Sequence, residues 1–156
     1  MRKAFTLIEV LISLSILGLL FGLGSVNFRD YSRRQQLVSA ARNFKGELRL
    51  IQAKASAGEK PGSCSSTNTL SSYSFKRVNS TSYQILADCL GSRSVVIKTE
   101  NLPDGITMTS TQNIISFKVL GQGTNVPQGR NAVITFTQVG TGNPATVTVT
   151  QGGEIK

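Results

Sequence analysis

Residues 10–28 read VLISLSILGLLFGLGSVNF, nineteen positions without one charged side chain. As a helix this run spans roughly 28 Å, close to the roughly 30 Å hydrocarbon thickness of a bilayer. A helix is the form such a run takes in lipid, because its backbone polar groups find no water there. Beyond the run the apolar positions change period instead of ending. Leu37, Ala41, Phe44, Leu48, Ile51 and Ala55 recur at spacings of four, three, four, three and four, one stripe on a helix. Arg42, Lys45, Glu47, Arg49 and Lys54 occupy the faces between them, and Gly58, Pro61 and Gly62 stop the pattern. Residues 6–57 are therefore predicted to form one helix, apolar all round at first and amphipathic afterwards.

From residue 61 onward the period falls to two. Candidate strands are 73–78, 82–87, 94–99, 106–109, 114–120, 132–137 and 145–150, several alternating apolar and polar residues as in Thr146-Val147-Thr148-Val149-Thr150. Leu102-Pro103-Asp104-Gly105 is a turn signal, Pro fixing its φ and Gly free to take a positive one. Residues 121–129 and 140–144 read as loops. The predicted class is α+β: a long N-terminal α-helix packed by its second half on an antiparallel β-sheet head. A coiled-coil partner is the rival use of the stripe, but barely three heptads are present and the chain goes on to supply something for the stripe to pack against.

Composition narrows the chemistry. The 156 residues include 17 Lys and Arg against 8 Asp and Glu, a formal charge of +9, with no His and no Trp. Without His the chain lacks the commonest general base and the commonest metal ligand. Cys64 and Cys89, the two cysteines, cannot build a four-thiolate zinc site. Asp88, Glu100 and Asp104 fall at predicted strand ends and turns, where carboxylates are typically solvated, and Ser63, Ser65 and Ser66 flank Cys64 with no His to activate them. The chain reads as a non-enzyme, with no catalytic, cofactor or metal residues assigned. Its basic surplus is uneven: eight basic and three acidic side chains between 29 and 60 leave +5 there, against +1 before and +3 after.

The first ten residues hold an anomaly. Met1-Arg2-Lys3-Ala4-Phe5-Thr6-Leu7-Ile8-Glu9-Val10 sets a lone carboxylate, Glu9, among apolar side chains. A carboxylate at membrane depth costs about 2.5–3.5 kcal/mol on insertion scales and calls for a partner. At headgroup level the positive end of the helix dipole would suffice. Cleavage between Ala4 and Phe5 would create a stronger partner in the membrane plane, the new α-amine of Phe5. A secretory signal peptide is the rival, but its apolar stretch is about 7–15 residues and ends at a small-residue cleavage site. Here the run is longer and continues into the helical stripe.

Phe5-Thr6-Leu7-Ile8-Glu9-Val10-Leu11-Ile12, behind a short basic leader and ahead of a full apolar span, resembles the class III signal of type IV pilins and pseudopilins. That family usually has Gly before the cut, where this sequence has Ala4. The resemblance implies that prepilin peptidase removes residues 1–4, that Phe5 is N-methylated, and that Glu9 pairs with the Phe5 amine of a neighbouring subunit. It divides the chain into a leader (1–4), a transmembrane half-helix (5–28), an amphipathic half-helix (29–58) and a head (59–156). The implied partners are other pilin or pseudopilin subunits, prepilin peptidase and an inner-membrane assembly platform. The implied location is the bacterial inner membrane, head outside the cytoplasm, and then a periplasmic or extracellular filament. Gly18, Gly22 and Gly24 suit close helix packing, plain tolerance of Gly in membrane helices, or the loosening of pilin helices in filaments, at about 1 kcal/mol each relative to Ala. The head resembles H-type pseudopilins and FimT-like minor pilins in Ile115-Ser116-Phe117 with Gly121, in Val133-Ile134-Thr135-Phe136, and in Val147-Thr148-Val149 leading to Gly152-Gly153-Glu154-Ile155.

This placement bears on the cysteines and the charges. A head outside the cytoplasm lies where disulfides persist. A bridge between Cys64 and Cys89 would close a loop of about 26 residues and stabilise by roughly 3–4 kcal/mol on the chain-entropy account; two free thiols are the rival. Arg29, Arg33 and Arg34 fall where lipid headgroups or a neighbour's acids would lie. Some FimT-like pilins capture DNA, which is the alternative function. A patch for it would draw on Lys76, Arg77, Arg93, Lys98, Lys118, Arg130 and Lys156. Against it, the tail 151–156 carries one Lys and one Glu where DNA-binding members carry arginines, and no aromatic residues interleave the cations to stack bases.

Overall fold

The structure, a computed structural model, describes residues 6–62, 64, 68–91, 94–140 and 142–156; within the helix the side chains of 23–27 lie outside the description. The leader, the cleavage and methylation positions Ala4 and Phe5, the serines 63, 65 and 66, and Arg93 also fall outside it. One continuous helix, α1 (Leu7–Ala57), begins after an extended Thr6 and passes unbroken through Gly18, Gly22 and Gly24. Gly58 stops it by taking the left-handed conformation at φ 64. The Gly58 N–H donates to the Ala55 carbonyl and the Glu59 N–H to the Lys54 carbonyl, each at 3.0 Å. These paired bonds satisfy carbonyls that a helix end otherwise leaves open.

Seven strands follow: β1 (Leu70–Arg77), β2 (Ser82–Cys89), β3 (Val95–Asn101), β4 (Ile106–Ser110), β5 (Ile114–Lys118), β6 (Ala132–Gln138) and β7 (Ala145–Val149). Each predicted strand is present, but they form two antiparallel sheets, ordered β3-β2-β1-β5 and β4-β6-β7. The single sheet expected becomes two, β5 returning to the first after β4 has joined the second, and the first crossing is at the predicted turn. There Gly105 stands at φ 79, the Ile106 N–H returns to the Pro103 carbonyl at 3.1 Å, and the chain leaves the first sheet for the second. The strand expected over 114–120 ends early, at Lys118. Val119–Gly121 turns in a 3-10 geometry with Leu120 itself left-handed at φ 56, closed by a Lys118 N–H bond to the Gly123 carbonyl at 2.9 Å.

All six stripe residues are buried, Leu48 and Ala55 completely, and Ala40 joins them. The helix can hold both sheets because Phe44 stands between them. Its ring centroid lies 5.1 Å from that of Phe75 and 5.2 Å from that of Tyr83 on the first sheet, and 5.2 Å from that of Phe136 on the second, all edge-on. Cys64 and Cys89 are bridged, with Cα atoms 6.2 Å apart, which ties the loop after the helix to the last residue of β2. The C-terminal tail folds back on the head: Ile155 pairs with Val149, and Gln52 of the helix donates to the Gly153 carbonyl at 2.8 Å.

Candidate functional site

The two halves of α1 meet opposite fates. From Leu37 onward the stripe is covered by the head; before it, Leu7, Ile8, Leu11, Leu14, Leu19 and Phe21 stand in the open, Phe21 at 78% exposure. An apolar surface of this extent requires lipid or partner helices to cover it. Two of its polar side chains bond back to the helix. Ser13 and Ser15 donate their hydroxyl protons to the carbonyls of Glu9 and Leu11, each at 2.8 Å, so they present no unmet donor to an apolar environment. A Cβ on Gly18 or Gly22 would meet nothing within 4 Å, so no tertiary contact inside this chain calls for glycine there. Gly24 belongs to the segment whose side chains are not described. Glu9 is exposed in the first turn, near the positive end of the helix dipole.

Among the described residues no helix is long and apolar enough to cross a membrane. The uncharged run reaches to residue 28, but the described side chains pause at 23–27.

At the base of the head, Arg29 and Arg33 line a cleft of about 510 Å³ with Phe28, Asp104, Gly105 and Val139. Arg34, on the neighbouring face, sits with Asp30 against the loop of Gly140, Gly142 and Asn143. Of the three arginines grouped from sequence, Arg29 and Arg33 thus share one cleft and Arg34 lines another, whereas Lys76 and Arg77 lie on β1, where Arg77 donates to Asn113 Oδ1 at 2.8 Å.

Two polar clusters were not visible in the pattern. Glu47 of the helix accepts from the Tyr83 hydroxyl at 2.6 Å and from Lys98, which also meets Glu100 at 2.8 Å. Burial, then the bond to Glu47, pushes the Tyr83 hydroxyl far above its ordinary range, and the bonds to Glu100 and Glu47 raise Lys98. Asp88, expected as a solvated carboxylate, is half-buried and accepts from Ser72 at 2.7 Å and from Ser74 and Ser94. Burial alone would raise its pKa, but the hydroxyls of Ser74, Ser94 and Ser72 together hold it below the usual value. Glu100 is likewise paired instead of free. The one sequence signal for these clusters was Glu47 lying beside the apolar stripe; Ser72 and Ser74 meet Asp88 through the β1–β2 register, and Ser94 from the connection before β3.

Residues 1–25 match the prokaryotic N-terminal methylation motif. The structure of the minor pseudopilin EpsH from the Type 2 Secretion System of Vibrio cholerae resembles this one with a TM-score of 0.57, covering 78% of this chain and 94% of that one at 10% identity. The fold is pseudopilin-like. No curated protein matches the chain in sequence. Within the pseudopilin-like head, the segments singled out from sequence take definite places: residues 115–117 in β5, 133–136 in β6, 147–149 in β7, and Ile155 in the bridge that closes the tail on β7.

Proposed function

We propose that this chain is a structural subunit of a type IV pilus or type II secretion pseudopilus, of the minor pilin or pseudopilin kind, and not an enzyme. One observation carries the reading: a methylation motif runs directly into a helix that is apolar and uncovered in its first half and fixed in a β head by its second. The chain enters the inner membrane through residues 5–28, prepilin peptidase cuts between Ala4 and Phe5, and the Phe5 amine is methylated. The helix then moves from lipid into a filament core, guided by the assembly platform. Lipid tails are as apolar as Leu, so burial of apolar surface hardly favours this transfer. Glu9 supplies the direction instead, by accepting the Phe5 amine of an adjacent subunit where an isolated carboxylate is costly. Gly18 and Gly22 let a neighbouring helix approach closely.

The DNA reading gains no support. Among the described residues Lys98 and Lys156 are engaged in ion pairs, and Lys76 and Lys118 stand at opposite ends of the β1–β5 register. Intact-mass and N-terminal fragment analysis of the protein purified from its membrane tests the processing step. A chain beginning at N-methylated Phe5 is expected; a chain that retains Met1 to Ala4, or one cut near residue 28, would overturn it.

A further inference from the structure

The base of the head holds an arginine cleft. The uncharged run ends at Phe28, which is 70% exposed, and Arg33 follows five residues later, about 8 Å along the axis. Helix side chains lean toward the N-terminus, and Arg29 and Arg33 line one cleft with Phe28, the last residue of the apolar run. The headgroup layer adds roughly 5–7 Å to each side of a hydrocarbon core, comparable with the axial distance from Phe28 to Arg33. The connection between β6 and β7 is held to this level of the helix. Arg33 Nη1 lies 2.7 Å from where a Cβ on Gly140 would stand, and Gln138 donates to Gln36 Oε1 at 3.4 Å. Val139, beside Gly140, is 82% exposed. Among the described residues, Arg29, Arg33 and Arg34 take part in none of the ion pairs, although Asp30 and Asp104 line the same surface.

We propose that this cleft binds the phosphodiester of an anionic phospholipid. Arg29 and Arg33 take the phosphate oxygens, and Phe28 and Val139 rest at the boundary with the acyl chains. Two guanidiniums against the single carboxylate of Asp104 leave the cleft positive, which favours an anionic headgroup over choline, whose own cation is repelled. The contact fixes the height and rotation of the head above the membrane before the subunit is drawn into a filament. It rests on the membrane reading of residues 5–28.

The test uses the full chain and two readouts. Flotation with phosphatidylcholine vesicles, resistant to alkaline extraction, reports insertion; native mass spectrometry from detergent reports the retained phosphatidylglycerol and phosphatidylcholine. The wild-type chain is expected to retain phosphatidylglycerol in preference. Arg29→Gln/Arg33→Gln is expected to insert as before but to retain it about 25-fold less, at about five-fold per arginine. Lys76→Gln/Arg130→Gln, with the same loss of charge elsewhere on the head, is expected to retain it unchanged. Equal retention by the Arg29/Arg33 variant, or equal loss in both variants, overturns the site and leaves the arginines to an acidic protein face. Failure of the wild-type chain to float overturns the membrane reading, and the site with it.

Discussion

Phe44 is the side chain on which the two-sheet head depends, and Phe44→Ala measures that dependence. Truncating a buried Phe costs about 3–5 kcal/mol through lost transfer energy and the cavity left behind. Here the upper part of that range is expected. The residue is 1% exposed, and its ring meets Phe75, Tyr83 and Phe136 edge-on, contacts worth about 0.5–1.5 kcal/mol each beyond burial in pair measurements. Collapse around the cavity would require the helix and both sheets to move together, so little relief is available. A loss of about 4–5 kcal/mol is a large share of the 5–15 kcal/mol that about defines domain stability. Equilibrium urea unfolding, followed by tyrosine fluorescence and far-ultraviolet circular dichroism, reads it as a shift in midpoint at unchanged slope. Phe28→Ala, at a position 70% exposed, serves as the comparison and should stay within about 0.5 kcal/mol. A loss under about 1 kcal/mol for Phe44→Ala, or equal losses for the two variants, would refute the view that this ring joins the sheets.

The disulfide should contribute roughly 3–4 kcal/mol, so reduction or Cys64→Ser/Cys89→Ser should lower the urea midpoint accordingly. Alkylation should add mass only after reduction, and labelling without reductant would contradict the bridge. Asp88 gives a pH dependence of definite sign. Its folded pKa lies below the unfolded value, so its stabilisation is present above about pH 4 and fades as pH falls through the folded value. Asp88→Asn should therefore unfold more easily than wild type near pH 7, with the difference closing in acid; a gap independent of pH would remove the serine-held carboxylate from the account. Glu47→Gln should weaken the hold of the helix on β2 and β3 through Tyr83 and Lys98, visible as faster hydrogen exchange along Val95–Asn101 than in wild type. Unchanged exchange there would mean that the apolar stripe alone fixes the helix.

The helix was legible almost to the residue because two strong signals agree along it: an uncharged run and then a stripe at helical spacing that ends at Gly58. The strands were legible because period-two alternation marks them one by one. Their division into two sheets was not, since alternation reports which face of a strand is buried and says nothing about which strand lies beside it. The turn at residues 102–105 was visible, but its role in moving the chain between sheets depends on what the flanking strands pair with. The bonds of Ser72 and Ser74 to Asp88 and the junction of Arg33 with Gly140 join residues on different elements, and neither leaves a local pattern. In contrast, the uncovered first half of the helix was readable from sequence because its signal is local: apolar residues on every side of a helix and one carboxylate among them.

The most direct test of the assembly role proposed for that half of the helix is Glu9→Ala in cells, scored by the amount of subunit in sheared filaments against the amount in the membrane. The subunit is expected to be inserted and cut after Ala4 at wild-type levels yet to be missing from filaments, because the Phe5 amine of its neighbour has lost its partner. Normal incorporation of Glu9→Ala would contradict the account.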